Sequence, residues 1–136
     1  MTYYEWMQNH AKKHKKIIDK LENLSDEEII EYFDFENMKV KEKDFCPLYE
    51  RDKKCHDMEK LNCYSCGCPY FRLTNDPSSE LLSYCSINHK NGGQMKATNG
   101  IHQDCTNCTV PHKVNFVKKN FSKDWNEIMN KVYNAQ

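Results

Sequence analysis

The 136 residues carry 20 basic and 20 acidic side chains, and this balance argues against both a nucleic-acid-coating protein and a highly charged disordered one. Ile, Leu, Val and Phe supply about 18% of the chain, below the roughly 20% at which closing a core becomes difficult. The composition therefore excludes a large apolar core and calls for one small domain with a staple.

Residues 3–23 contain neither glycine nor proline and set Ile17, Ile18, Leu21 and Leu24 at helical spacing, with Trp6 and Met7 extending the apolar side. A helix is expected there. Ser25-Asp-Glu-Glu28 has the form of a capping box, and its acidic first turn suits the positive end of a helix dipole. Ile29, Ile30 and Phe33 give a second helix over 26–38 its apolar face, and the short connection predicts an antiparallel hairpin. Residues 1–44 are thus read as an N-terminal helical extension. Charge is uneven along the chain: residues 1–20 sum to +3, 21–50 to −7 and 111–136 to +3. Oppositely charged helices lying side by side account for this pattern. A basic terminal surface that contacts an acidic protein is the sharper reading.

From 45 to about 113 the periodicity fades. Asp76-Pro-Ser-Ser, Asn91-Gly-Gly93 and Asn99-Gly100 are turn signals, and little sheet is expected beyond short strands around Tyr70–Leu73 and Leu81–Cys85. Pro111 suits the first position of a helix over His112–Asn120. Ser122 is the expected N-cap of a last helix, in which Trp125, Ile128, Met129 and Val132 recur at i, i+3, i+4, i+7. Residues 114–136 form a C-terminal helical extension expected to pack on the N-terminal helices. The expected fold class is a small metal-stabilised domain of helices and irregular structure.

All eight cysteines lie between residues 45 and 113: Cys46, Cys55, Cys63, Cys66, Cys68, Cys85, Cys105 and Cys108. Short C-x2-C and C-x-C elements each bring two thiolates to one centre, so a zinc or iron–sulfur module is the leading expectation. Four disulfides are the competing staple. The chain opens without an apolar run of signal-peptide length and contains no transmembrane run, so a cytosolic setting with reduced thiols is expected. A structural metal supplies on the order of 10 kcal/mol, comparable with the stability of a whole domain.

Pairing the Cys63/Cys66 and Cys105/Cys108 knuckles makes the simplest zinc site and leaves Cys46, Cys55, Cys68 and Cys85 as a second set. Cys66-Gly-Cys68 can equally serve one polynuclear centre, with Gly67 relieving crowding, and Cys46-Pro47 and Cys68-Pro69 resemble pairs found beside iron–sulfur clusters. Eight thiolates suffice for two four-coordinate centres, or for one [4Fe–4S] cluster plus Zn2+. His112 and His56 are the candidate nitrogen ligands; with eight thiols at hand, both are expected to support the thiolates from outside the coordination shell. His10, His14, His89 and His102 have no ligand-like neighbourhood. Lys53 and Lys54 precede Cys55 and could lower its pKa, an idea that ranks below coordination. No GxSxG, HExxH or phosphate-binding glycine loop occurs, and no catalytic role is expected.

Asn62-Cys-Tyr-Ser-Cys-Gly-Cys-Pro-Tyr70, followed by Asp104-Cys-Thr-Asn-Cys-Thr-Val-Pro-His112, resembles the cysteine-rich small domain family. Cys46-Pro-Leu-Tyr49, Cys55-His56 and Cys85 fit the same order, so the resemblance covers about residues 45–113. It implies a metal-binding module that stands alone in prokaryotes. In some archaea the module is fused to a threonine-phosphate decarboxylase-like enzyme of the cobamide pathway and associated with iron–sulfur chemistry. This chain differs in its helical extensions and has no decarboxylase domain, which leaves a cobamide role as a minor alternative.

The expected function is a cytosolic metal-binding accessory or interaction module, contacting a larger protein through its terminal helices. Redox or sensing work by a [4Fe–4S] centre is the second reading, and nucleic-acid binding on a zinc-knuckle scaffold the third. Without a basic excess, nucleic acid is not the expected partner. Neither a membrane nor a small-molecule substrate is inferred.

Overall fold

The first helix, α1 (Tyr3–Lys20), buries Met7, His10, His14 and Ile17 at helical spacing. It stops three residues short of the expected end, and Leu21 and Leu24 fall in the turn that follows. This chain is described by a computed structural model covering residues 3–74, 76 and 78–133. The next helix, α2 (Asp26–Tyr32), begins with the anticipated capping box: the Ser25 hydroxyl oxygen accepts from the Glu28 amide at 3.2 Å, and the Glu28 carboxylate accepts from the Ser25 amide at 3.1 Å.

The single helix expected over 26–38 is broken. A third helix, α3 (Phe35–Lys41), starts afresh with Asp34 as its N-cap. The break has a long-range cause. The Phe35 amide donates to Leu61 O at 2.9 Å, the Cys63 amide donates to Phe33 O at 2.8 Å, and Asp34 pairs with Asn62 across an isolated bridge. Extended pairing with residues 61–63 thus replaces a helical turn, and it fixes the backbone of the first cysteine knuckle.

Two small antiparallel sheets occupy the middle of the chain. In one, β1 (Phe71–Leu73) pairs with β2 (Ser83–Cys85), with Phe71 opposite Cys85. The second is a hairpin of β3 (Gly93–Ala97) and β4 (Gly100–Asp104), with Gly93 opposite Asp104. The hairpin was not anticipated beyond its Asn99-Gly100 turn, because β3 is exposed along its whole length and has no apolar alternation to announce it. The sheets are stitched together where Leu82 N–H donates to Ile101 O and Ile101 N–H donates to Glu80 O. Gly100 is necessary there: its φ is +151°, and an added Cβ would lie 2.5 Å from Glu80 O.

After a 3-10 turn at Val110–His112, the chain enters α4 (Val114–Lys119) and then α5 (Trp125–Tyr133). The helix expected over 112–120 is therefore shorter. The last helix is capped two residues later than expected, by Asp124, whose carboxylate accepts from the Asn126 amide at 3.0 Å, while Ser122 accepts from Asp124 N–H. Helix α1 finds its main helical partner in α5, and α2 in α4 and α3. The N-terminal helices are thus organised by the C-terminal ones rather than as a self-contained hairpin.

One core runs through all three regions, joining Met7, Phe33, Tyr64, Val117, Trp125 and Met129. The architecture is a small mixed α/β domain with five helices and two small antiparallel sheets among the described residues. Among those residues no helix is long and apolar enough to cross a membrane.

Candidate metal centres

Cys46 opens the 3-10 turn Pro47–Arg51, which carries the buried Tyr49. Cys63 is held by the hydrogen bond its amide donates to Phe33 O, and the Cys66 carbonyl accepts from the Trp125 indole N–H at 3.0 Å. Between these segments lies Asn62, fully buried, whose side-chain amide donates to Ile30 O at 2.7 Å and whose side-chain oxygen accepts from Tyr64 N–H at 2.9 Å. Its backbone is paired both ways with His112: Asn62 N–H donates to His112 O, and His112 Nδ1–H donates to Asn62 O, each at 2.9 Å. This exchange ties the first cysteine block to the last.

The thiols form two groups. Burial pushes Cys63 up to about 12, and the neighbouring Cys55 and Cys46 push the same way against the Tyr49 hydroxyl beside it, which lowers it. Cys66 is driven up by burial and then by Cys63, Cys55 and Cys46. Cys55 rises to about 11 through burial and the proximity of Cys46. Cys46, Cys55, Cys63 and Cys66 therefore feel one another. The second group is as consistent. Burial raises Cys68, with Cys85 and Cys108 adding to the rise while the Tyr70 and Phe71 amides oppose it. Cys105 reaches about 11 through burial, then through Cys68, Cys108 and Cys85. All eight are free thiols.

This grouping differs from the simplest pairing. The Cys63/Cys66 and Cys105/Cys108 knuckles serve different groups, and each is completed by two distant cysteines. The divide falls inside Cys66-Gly67-Cys68. Gly67 has φ +115° and Cys68 φ +53°, so two left-handed residues turn neighbouring thiols in different directions. A Cβ on Gly67 would also stand 3.0 Å from Trp125 Cζ2. Gly67 thus stands at the divide between the two groups of thiols.

His56 and His112 lie against the first group. His112 Nε2 is 3.5 Å and His56 Nδ1 3.1 Å from Cys55 Sγ, while His56 Nε2 is 3.1 Å from Cys105 O. The donor atoms of Cys55, His56 and His112 are all within 4.8 Å of one another. Burial holds His112 down at about 4; its bond to the Asn62 carbonyl opposes that shift and His56 reinforces it. Activation of Cys55 by lysine is not what the geometry provides. Lys54 Nζ donates to the Met58 and Glu59 carbonyls, and the thiol is shifted upward.

Two other histidines sit in the core. His10 stacks on Trp6, and His14 on Phe33, with His14 Nε2–H donating to Tyr64 O at 3.2 Å. Burial lowers His10 to about 3 and His14 to about 4. His89, which the spacing did not single out, stands with Nδ1 3.8 Å from Cys108 Sγ. Turn geometry places it there, and no local pattern marks it.

A cavity of about 500 Å³ lies between the groups. All four cysteines of the second group face it, as do Cys55, Cys66, His56 and His112, and Trp6, Phe71 and Val110 supply apolar wall. The donors suit a soft-metal centre, since thiols in fours and imidazoles are the side chains zinc and iron–sulfur clusters take. The buried Tyr49 hydroxyl has no conventional hydrogen-bond partner and is directed at Cys63, a placement that suits a sulfur carrying thiolate charge. Comparison with family models, curated proteins and solved structures found no match for this chain.

Proposed function

We propose that this chain is a metal–thiolate protein with two centres, one on Cys46, Cys55, Cys63 and Cys66 and the other on Cys68, Cys85, Cys105 and Cys108, the second being a [4Fe–4S] cluster. The observation that carries the reading is the convergence of six of the eight cysteines, scattered in sequence, on one apolar cavity together with His56, His89 and His112. Spacing favours a cluster over a single zinc ion. With Zn–S near 2.3 Å, sulfurs on one tetrahedral zinc stand about 3.8 Å apart. No three thiols of either group lie within 4.8 Å of one another among the described residues, and a four-iron cube spreads its cysteine sulfurs more widely than a single ion does. The cavity faced by the second group also offers far more room than one ion needs.

Such a cluster, when bound, supplies one-electron redox chemistry. The chain's own contribution is to hold the thiols and exclude water. The Tyr70 and Phe71 amides favour the charged form of Cys68, and the Gln103 side chain accepts from the Cys85 amide at 3.2 Å. Trp6 and Phe71 supply apolar wall beside these cysteines. The resemblance of residues 45–113 to the cysteine-rich small domain family points the same way. Electron transfer or sensing on behalf of a larger protein is the function this arrangement serves best, with the exposed lysines of α1 and α4 as the contact surface.

Iron and acid-labile sulfide analysis of anaerobically purified protein tests the reading. About four irons and four sulfides per cluster are expected, with absorbance near roughly 400 nm that fades on reduction. Cys85→Ser should lose the iron of the second group, and Cys46→Ser should leave it in place. A colourless protein with zinc and no sulfide would overturn the cluster assignment.

A further inference from the structure

His56 and His112 share a feature that supporting histidines do not require. His112 Nδ1 and His56 Nε2 each face a backbone carbonyl, Asn62 O at 2.9 Å and Cys105 O at 3.1 Å. A carbonyl only accepts, so each of these nitrogens is the N–H of its ring. In the neutral imidazole the other nitrogen is then a lone pair, and in both rings that nitrogen faces Cys55 Sγ. One thiol proton can satisfy one lone pair. Two lone pairs and a sulfur converging on one point are mutually repulsive unless a cation stands between them. A backbone carbonyl bound to the far nitrogen is also the usual arrangement behind a metal-ligating histidine.

Distances agree. With Zn–S near 2.3 Å and Zn–N near 2.0–2.1 Å, sulfur and nitrogen on one tetrahedral zinc are about 3.5 Å apart; here the separations are 3.5 Å and 3.1 Å. Among the described residues no fourth His, Cys, Asp or Glu donor joins this set. Three protein ligands with the fourth position open mark an ion that takes an exogenous ligand, in contrast to the closed four-ligand structural site. All three side chains face the apolar cavity, so the open position meets a wall of Trp6, Phe71 and Val110.

We propose that Cys55, His56 and His112 hold one divalent ion, zinc by preference, whose fourth position accepts a small apolar molecule bearing a single thiolate or azole donor. Cys55 is shared: its sulfur keeps further lone pairs after binding one metal and bridges this ion to the first cysteine centre. The inference rests on the metal–thiolate reading for that bridge alone. The Cys–His–His set stands without it.

The test is Co2+ titration of the full-length protein, purified anaerobically, with iron and sulfide measured on the same samples. Wild type should take one Co2+ beyond the ions held by its cysteine groups, with the visible absorption of a tetrahedral sulfur–nitrogen site. His56→Ala should lose that ion while its iron and sulfide stay at wild-type values. His112→Gln should behave alike if it folds, and His56→Ala carries the test if it does not. Added imidazole, as probe, should shift the cobalt bands in wild type. Equal cobalt uptake and spectra in wild type and His56→Ala would overturn the site, and unshifted bands would overturn the open position. Alkylation of Cys55 by iodoacetamide that depends on His56 and that Co2+ does not block would overturn it in favour of a thiolate–imidazolium pair. Iron-free protein that still shows the cobalt site would sink the cluster reading and leave this one standing.

Discussion

The two cysteine groups are built in opposite ways. The first is set into the helical core: Cys63 is pinned to Phe33, Cys66 to Trp125, and Asn62 locks its block to Ile30, Tyr64 and His112. The second hangs on two three-residue strands, a hairpin whose outer strand is exposed throughout, and the turn around Cys105. Burial of large side chains stabilises the first region whether or not metal is bound. The second has few buried apolar residues of its own, so on the proposed reading its order would depend on the bound metal. A domain poor in aliphatic residues would then keep one centre preformed and leave the other to be completed by its cofactor.

Removal of metal should break the comparison most visibly. Chelation under reducing conditions withdraws stabilisation on the order of 10 kcal/mol per structural site. Limited proteolysis should then cut between residues 74 and 104 first, while helices α1 to α3 keep their circular dichroism. Apo protein that resists protease as well as holoprotein would show that the second region folds unaided.

Asn62→Ala attacks the preformed side. Two buried hydrogen bonds go: the Tyr64 amide loses its partner and the Ile30 carbonyl keeps only the Phe33 amide, at a cost of about 2–4 kcal/mol. A thermal midpoint lower by several degrees is expected with the second group's iron retained. Loss of iron without loss of stability would place Asn62's role in the site alone.

Acid should weaken the helical side next. His10 and His14 titrate near 6.5 when unfolded and near 3 and 4 when folded. Below 6.5 the unfolded chain takes up protons that the folded one refuses, so their stabilisation is complete above 6.5 and is lost as pH falls toward 4. The slope is at most about 1.4 kcal/mol per pH unit for each histidine. His10 Nε2 is buried without a partner, so His10→Phe should flatten the loss between pH 6.5 and 5 in urea melts. An unchanged slope would remove His10 from the account.

The smallest effect concerns the outer surface. Reversing the charge of Lys12, Lys13, Lys118 and Lys119 should leave metal content and stability within about 0.5 kcal/mol yet weaken capture of an acidic partner at low salt. Equal capture by variant and wild type at low and moderate salt would leave these helices as scaffold.

Local chemistry was readable from sequence, and long-range pairing was not. The Ser25–Glu28 box is written in four consecutive residues and forms as read. The Phe33–Asp34 break is not, because Leu61 and Cys63 cause it from nearly thirty residues away. The eight thiols stood out as candidates from spacing, but their grouping depends on the left-handed turn at Gly67 and on Trp125 packed against it. Hairpin β3–β4 announced only its turn, and His89 announced nothing.

Cys66 and Cys68 stand one residue apart yet belong to different groups, and on the proposed reading this short span would make the two centres hard to fill independently. If both groups take metal, an ion at either one would further restrict Gly67, whose backbone costs about 1–2 kcal/mol to fix fully. The later arrival would be spared that cost, which is worth about fivefold to thirtyfold in its affinity. Loading would then be cooperative, with fewer half-filled molecules at intermediate metal supply than two independent centres would give.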